Sequence, residues 1–330
     1  MANRRFRDRG PRRSSRREPE HEPRAPLRRS PAPPRLTPGR SQGRIVDFFA
    51  DPAEEAAPRP TPRPSRRSET LARIAWALPW IIFAIFIVVV GGTLFTAAMV
   101  AFACIGCAEF FRMTSQAKPF VPVGFAVVTA LVIAAHFGSA RTMGLAVVAA
   151  FPLMFALAVT RASVKNVTYS MGVTLFAIAW IGVPFAHAVL LRDLPDHGAA
   201  LLVDVLIATF VADTAAYAGG RLFGTRRLAP SLSPNKTVEG LVAGFIGGTM
   251  GFWFAGLYQD WLPGIDALLI GAVVGLLGPL GDLFESMIKR DLDVKDSGRA
   301  FGPHGGFLDR FDAVMFTIVA GYYLSIALVY

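Results

Sequence analysis

Between Ile74 and Phe111 the chain runs for 38 residues with one ionisable side chain, Glu109. At ~1.5 Å per residue such a stretch gives about 57 Å of helix, nearly twice the hydrocarbon core of a bilayer. It therefore predicts two crossings, with Gly91-Gly92 as the natural break. Further apolar stretches at about 119–137, 142–160, 169–191, 198–217, 238–258, 264–283 and 311–330 raise the expectation to nine spans. Lipid offers no hydrogen bonds to a backbone, so at these lengths the spans must be helices and the fold class is an all-α, polytopic membrane protein. A hydrophobic share of 53% against 18% charged residues excludes an ordinary soluble enzyme, a disulfide scaffold and a collagen-like fibre.

Charge is segregated. Residues 1–70 hold 18 Arg, no Lys and 9 acidic residues, a net of +9 out of the chain's +10. With 13 Pro and few aromatics, that segment buries too little apolar surface to offset its ordering entropy, and it is expected to be a disordered cytoplasmic tail. The membrane domain is expected at 71–330. The first apolar run starts only near Leu71, so no cleaved signal peptide is expected. The arginines read first as a positive-inside topology determinant; contact with anionic lipid or non-specific nucleic-acid binding are the alternatives. No recognition module accompanies them, and no specific nucleic-acid partner is expected. Cys104 and Cys107 form a C-x-x-C inside an apolar stretch without further metal ligands, which reads as helix packing.

With the amino terminus in the cytoplasm, loops 112–118, 161–167, 218–237 and 284–309 face inward and hold 12 Lys or Arg. The outward connections at 91–92, 138–141, 192–197 and 259–263 hold 2. That is the bias of cytoplasmic loops, and it places the carboxyl terminus outside.

Two of the inward loops are long and polar. Asp282, Ser286, Lys289, Arg290 and Asp293 are spaced to share one helix face, so the eighth span is expected to continue past the bilayer with a polar stripe. Lys295-Asp296-Ser297-Gly298 and Gly302 to Gly306 supply turn residues, after which Asp309 and Asp312 share a face at the start of the ninth span. The loop can thereby bring two carboxylate clusters to one membrane depth, and such oxygen donors suit Mg²⁺. Asp213 lies near the same end of the sixth span. Asp204, deeper in that span, is expected to make a polar interhelical contact rather than to face the site. His304 sits between Pro303 and two glycines, while His136, His187 and His197 are isolated and read as structural.

From Ser286 to Asp312 the pattern S-x-x-K-R-x4-K-D-x-G-x-x-x-P-x-H-G-G-x-x-D-R-x-D, with Pro303 here directly before His304, closely resembles the signature of phosphatidate cytidylyltransferases, the CDP-diacylglycerol synthases. The stretch from Asp213 through Gly219-Gly220-Arg221, Leu228-Ala229-Pro230 and Ser233-Pro234-Asn235-Lys236-Thr237-Val238-Glu239-Gly240 is similar to the same family, with Ala215 where the family has glycine. The resemblance implies a multi-pass enzyme of the cell membrane, of the bacterial inner-membrane kind. It would join CTP and phosphatidate into CDP-diacylglycerol with release of pyrophosphate, would depend on Mg²⁺ with a second metal ion allowed for, and would often be a homodimer. It also implies that Asp282 and Asp309 hold the metal; Asp213 and Asp312 are expected, on grounds of charge, to support them.

A phosphate monoester must then approach a triphosphate, and positioned cations offset that repulsion. Asp282, Lys289, Asp309 and Asp312 form the expected catalytic set. Lys236, Ser286, Arg290, Lys295, His304 and Arg310 are expected to bind substrate, His304 by positioning a phosphate. Another CTP-dependent lipid-phosphate enzyme and a membrane transporter are the alternative readings.

Overall fold

The computed structural model describes residues 82–298 and 305–330. The tail read as disordered, the start of the first apolar stretch, Gly302, Pro303 and His304 lie outside the described residues. Helix α1 (82–90) stops at Gly91, and α2 (Gly92–Met113) follows at once. Gly91 and Gly92 adopt φ of 65° and 55°, a left-handed conformation that glycine enters without steric cost. Arg192 reaches this break from a distant helix, with Nε 2.7 Å from the Val88 carbonyl, and satisfies an acceptor the helix end leaves open. A Cβ at Gly91 would overlap that guanidinium.

A 3₁₀ turn (Ser115–Ala117) leads to α3 (Val121–Phe137), and α4 (Ala140–Val159) starts from a capping box between Ser139 and Thr142. Next, α5 (Val167–Ala177) passes through a π-helical turn (Ile178–Gly182) into α6 (Val183–Arg192). The chain continues through α7 (Gly198–Phe223), α8 (Val238–Gly256), α9 (Gly264–Asp291) and α10 (Leu308–Leu328). Among the described residues, seven stretches are long and apolar enough to cross a membrane, α5 and α6 counting as one. Helix α3, at 17 residues, and the described part of α1 are shorter. The elements follow the order of the expected segments.

Three departures bear on the site. Between α7 and α8 the chain forms an antiparallel hairpin, β1 (Arg227–Ala229) with β2 (Ser233–Thr237), so the polytopic helical fold carries a small sheet. Helix α7 outlasts its apolar stretch, to Phe223, because helix continues where hydropathy ends, while α9 runs on to Asp291 as its polar stripe implied. Asp293 lies beyond the end of α9 at φ 54°, so it leaves the polar stripe on which the spacing had placed it.

Helices α7, α8, α9 and α10 pack in sequence, each on the next. Small residues allow this. A Cβ on Gly248 of α8 would sit 2.5 Å from Gly275 Cα of α9, and one on Gly281 of α9 would sit 2.5 Å from the Asp312 carbonyl of α10. Van der Waals packing at such close approach is the main adhesive available between helices in lipid. Cys107 is fully buried and Cys104 Sγ lies 3.7 Å from Thr129 Oγ1; both are free thiols in helix packing.

Candidate active site

The contact of Gly281 with Asp312 brings the carboxyl-terminal turns of α9 against the first turns of α10. On α9, Asp282, Glu285, Ser286 and Lys289 recur at i, i+3, i+4 and i+7 and so share one face. Lys289 Nζ lies 2.7 Å from Asp309 Oδ1 and 3.1 Å from Glu285 Oε2. Glu285 is fully buried, and Lys289 is the cation that accompanies it.

A second lysine arrives from the hairpin. Lys236 Nζ is 2.6 Å from Asp282 Oδ2 and donates more weakly, at 3.5 Å, to the Pro279 carbonyl. Its placement follows from the start of α8, where the Thr237 side chain accepts from Gly240 N–H and caps the helix. Glu239, in the first turn of α8, accepts from Thr225 Oγ1 at 2.6 Å and from the Thr225 N–H at 3.1 Å, with Arg226 N–H also donating. That carboxylate pins the hairpin's entry, while Arg290 Nε donates to the Leu232 carbonyl at 3.3 Å.

Asp213 of α7 and Asp312 of α10 complete the cluster. Both interact electrostatically with Asp282, and Asp312 also with Glu285 and Asp213. Five carboxylates thus share one end of the bundle with two paired lysines, Lys236 and Lys289. Of the other expected residues, Ser286 places Oγ 3.5 Å from Asp282 Oδ1, Lys295 is exposed in the loop after α9, and Arg310 is exposed on α10. His304 lies outside the described residues.

Asp204 is elsewhere. It accepts from Gln259 Nε2 at 2.7 Å at the opposite end of the bundle. His136 pairs with Asp193 at 2.5 Å, His187 Nδ1 lies 2.8 Å from the Val183 carbonyl, and His197 stacks on Trp261. All three are structural contacts.

Two residues escaped the sequence reading. Glu285, directly before the quoted motif, was given no role, although its i−4 spacing from Lys289 was the available signal. Glu109 stood out as the one ionisable group in the first two spans. In the fold it is buried and holds the loop between α9 and α10.

Among the described residues, no three His, Cys, Asp or Glu side chains form a ready-made metal cage. The donor chemistry still fits a hard divalent cation that takes part of its shell from substrate. Oxygen donors predominate, their negative charge exceeds that of the paired lysines, and Asp213 opens to the exterior. Asp309 is the most committed of them. Its Oδ2 accepts from Ser297 N–H at 3.1 Å and Gly306 N–H at 2.7 Å, and its Oδ1 is held by Lys289.

Comparison with known proteins gives this geometry a family. The cytidylyltransferase family model matches residues 71–328. The chain belongs to the cytidylyltransferase family. A phosphatidate cytidylyltransferase of Bacillus subtilis is 32% identical over 246 residues, which cover 73% of this chain and 91% of that protein. A phosphatidate cytidylyltransferase of Thermotoga maritima is 37% identical over 156 residues, 46% of this chain and 58% of its own length. One from Mycobacterium leprae is 37% identical over 153 residues, 46% of this chain and 48% of its own. The chain therefore spans most of one such cytidylyltransferase and about half of the other two. As a cytidylyltransferase it is an enzyme that transfers a nucleotidyl group, and its apolar helices make it a multi-pass membrane protein.

Proposed function

We propose that this chain transfers the cytidylyl group of CTP to phosphatidate, giving CDP-diacylglycerol and pyrophosphate for phospholipid synthesis. The observation that carries this reading is the meeting of two lysine–carboxylate pairs, Lys236–Asp282 and Lys289–Asp309, where α9 and α10 touch. Relatives that carry this activity by name are 32% and 37% identical to this chain over 246 and 156 residues.

The reaction requires a phosphatidate oxygen to attack the α-phosphorus of CTP while the bond to the bridging oxygen of pyrophosphate breaks. The attacking monoester is already ionised near neutral pH, so the protein needs no strong base. Its task is to hold anions together. Lys236 and Lys289 act as point charges beside the phosphates, and Arg290, at the rim, can grip one bidentately. Arg310, Lys295 and His304 supply further phosphate contacts in this reading, and Ser286 orients Asp282. A divalent cation, when bound, offsets charge on the triphosphate and the leaving pyrophosphate. Asp282 would hold it with Asp213 and Asp312, and Asp309 can join only through Oδ1, by exchange with Lys289.

The same proposal fixes topology. Nine spans, amino terminus in the cytoplasm and carboxyl terminus outside, put the lysine–carboxylate end at the inner surface of the cell membrane, where soluble CTP meets the lipid headgroup. A reporter fused after Tyr330 then reads extracytoplasmic, and a cytoplasmic reading contradicts the span count. The homodimer implied by the resemblance belongs here too, and particle mass in detergent separates one copy from two.

The direct experiment supplies the purified full chain with labelled CTP and phosphatidate in detergent. CDP-diacylglycerol and pyrophosphate are expected in equal amounts. CTP breakdown without a lipid product contradicts the reading.

A further inference from the structure

Glu109 has no part in the chemistry described above, yet it is 3% exposed near the end of α2. Its Oε2 accepts two hydrogen bonds from the far end of the chain, from Ser297 Oγ at 3.1 Å and from the Leu308 N–H at 3.0 Å. Leu308 opens α10, and the first N–H groups of a helix have no partner within it. The residue at the local cap position is Phe307, which makes no side-chain cap bond, so a carboxylate from another helix takes that role.

Ser297 carries the tie onward. It is 4% exposed, its N–H donates to Asp309 Oδ2 at 3.1 Å, and its Oγ accepts from the Asp309 N–H at 3.4 Å. Gly306 N–H holds the same Oδ2 at 2.7 Å, which leaves Oδ1 turned to Lys289 at 2.7 Å. The surrounding backbone is pressed onto this relay. A Cβ at Gly298 would fall 2.3 Å from Glu109 Oε1, and one at Gly306 would fall 2.0 Å from Ser297 Oγ. Burying a carboxylate is unfavourable, and a neutral packing residue would cap nothing.

We infer that Glu109 is a positioning residue. Acting through Ser297, it fixes the orientation of the Asp309 carboxylate and with it the Asp309–Lys289 pair. The inference rests on reading that pair as part of the reacting site.

The test uses the full chain in detergent with CTP and phosphatidate, comparing Glu109→Ala, Glu109→Gln, Ser297→Ala and the double alanine variant. Hydrogen exchange of residues 305–311 is followed beside kcat and KM. Loss of a buried acceptor should lower kcat of Glu109→Ala roughly 10- to 100-fold, leave KM for CTP within about two-fold, and speed exchange over 305–311 but not in α9. Glu109→Gln keeps an oxygen acceptor and should recover most of the loss. Because both residues act in one relay, the double variant should be no worse than the poorer single one. Multiplying losses, a wild-type kcat in Ser297→Ala, or unchanged exchange over 305–311 overturns the inference. Should Glu109→Ala not fold, Glu109→Gln and Ser297→Ala decide by the same readouts. If the wild-type chain makes no lipid product, the functional reading falls, while the exchange data still decide whether Glu109 orders the start of α10.

Discussion

The two ends of the helix bundle treat polar groups in opposite ways. At one end Asp204 meets Gln259, His136 meets Asp193 and His197 stacks on Trp261, in separate pairs. At the other end Asp213, Asp282, Glu285, Asp309 and Asp312 crowd around Lys236 and Lys289, with negative charge in excess among these groups. One-to-one pairing leaves no cluster of like charge and asks nothing of a ligand. Excess carboxylate at an opening is costly to fold unless a cation and its phosphates belong there. Placement of charge, more than the amount of it, separates scaffold from site.

That contrast can be broken by substitution. Asp282→Asn keeps the shape and removes the charge, and turnover of CTP and phosphatidate should fall roughly 100- to 1000-fold, the scale seen when one preorganised electrostatic group is removed. Near-normal kcat would erase the distinction between the ends. Lys289→Ala should act on both substrate and fold. It removes the donor shared by fully buried Glu285 and by Asp309, read as a lower thermal midpoint together with a raised KM. Glu239→Ala loosens the hairpin at Thr225 and Arg226 and should raise KM for CTP by about ten-fold at most, because the carboxylate that both residues bond to is gone but its bonds are open to solvent. The smallest effect is expected at the other end: Asp204→Asn still accepts from Gln259 and should leave kcat within about two-fold, because the neutral amide preserves the bond.

Much of this contrast was legible beforehand because the membrane simplifies the reading. Apolar length marks each span, and Gly91 breaks the first long stretch where the helices do separate. Spacing likewise placed Asp282 and Lys289 on one face, and the turn residues before Asp309 correctly implied a chain reversal. Hydropathy reports the bilayer and not the helix end, so α7 ran beyond its apolar limit unannounced, whereas the polar stripe announced the extension of α9. The hairpin was hidden because a strand of 3 residues is too short to show alternation and the partner strand of 5 is polar apart from its proline. Glu109 was hidden for a different reason. Its partners lie 188 and 199 residues away, and no local period reports a contact at that separation.

Binding of Mn²⁺ as a spectroscopic substitute for Mg²⁺, followed by electron paramagnetic resonance in the presence of CTP, tests the central claim without relying on turnover. The wild-type chain and Asp204→Asn should retain the bound-ion signal, and Asp282→Asn should lose it. Equal binding by Asp282→Asn and wild type, or loss of the signal in Asp204→Asn alone, would contradict the assignment of the α9–α10 end as the reacting centre.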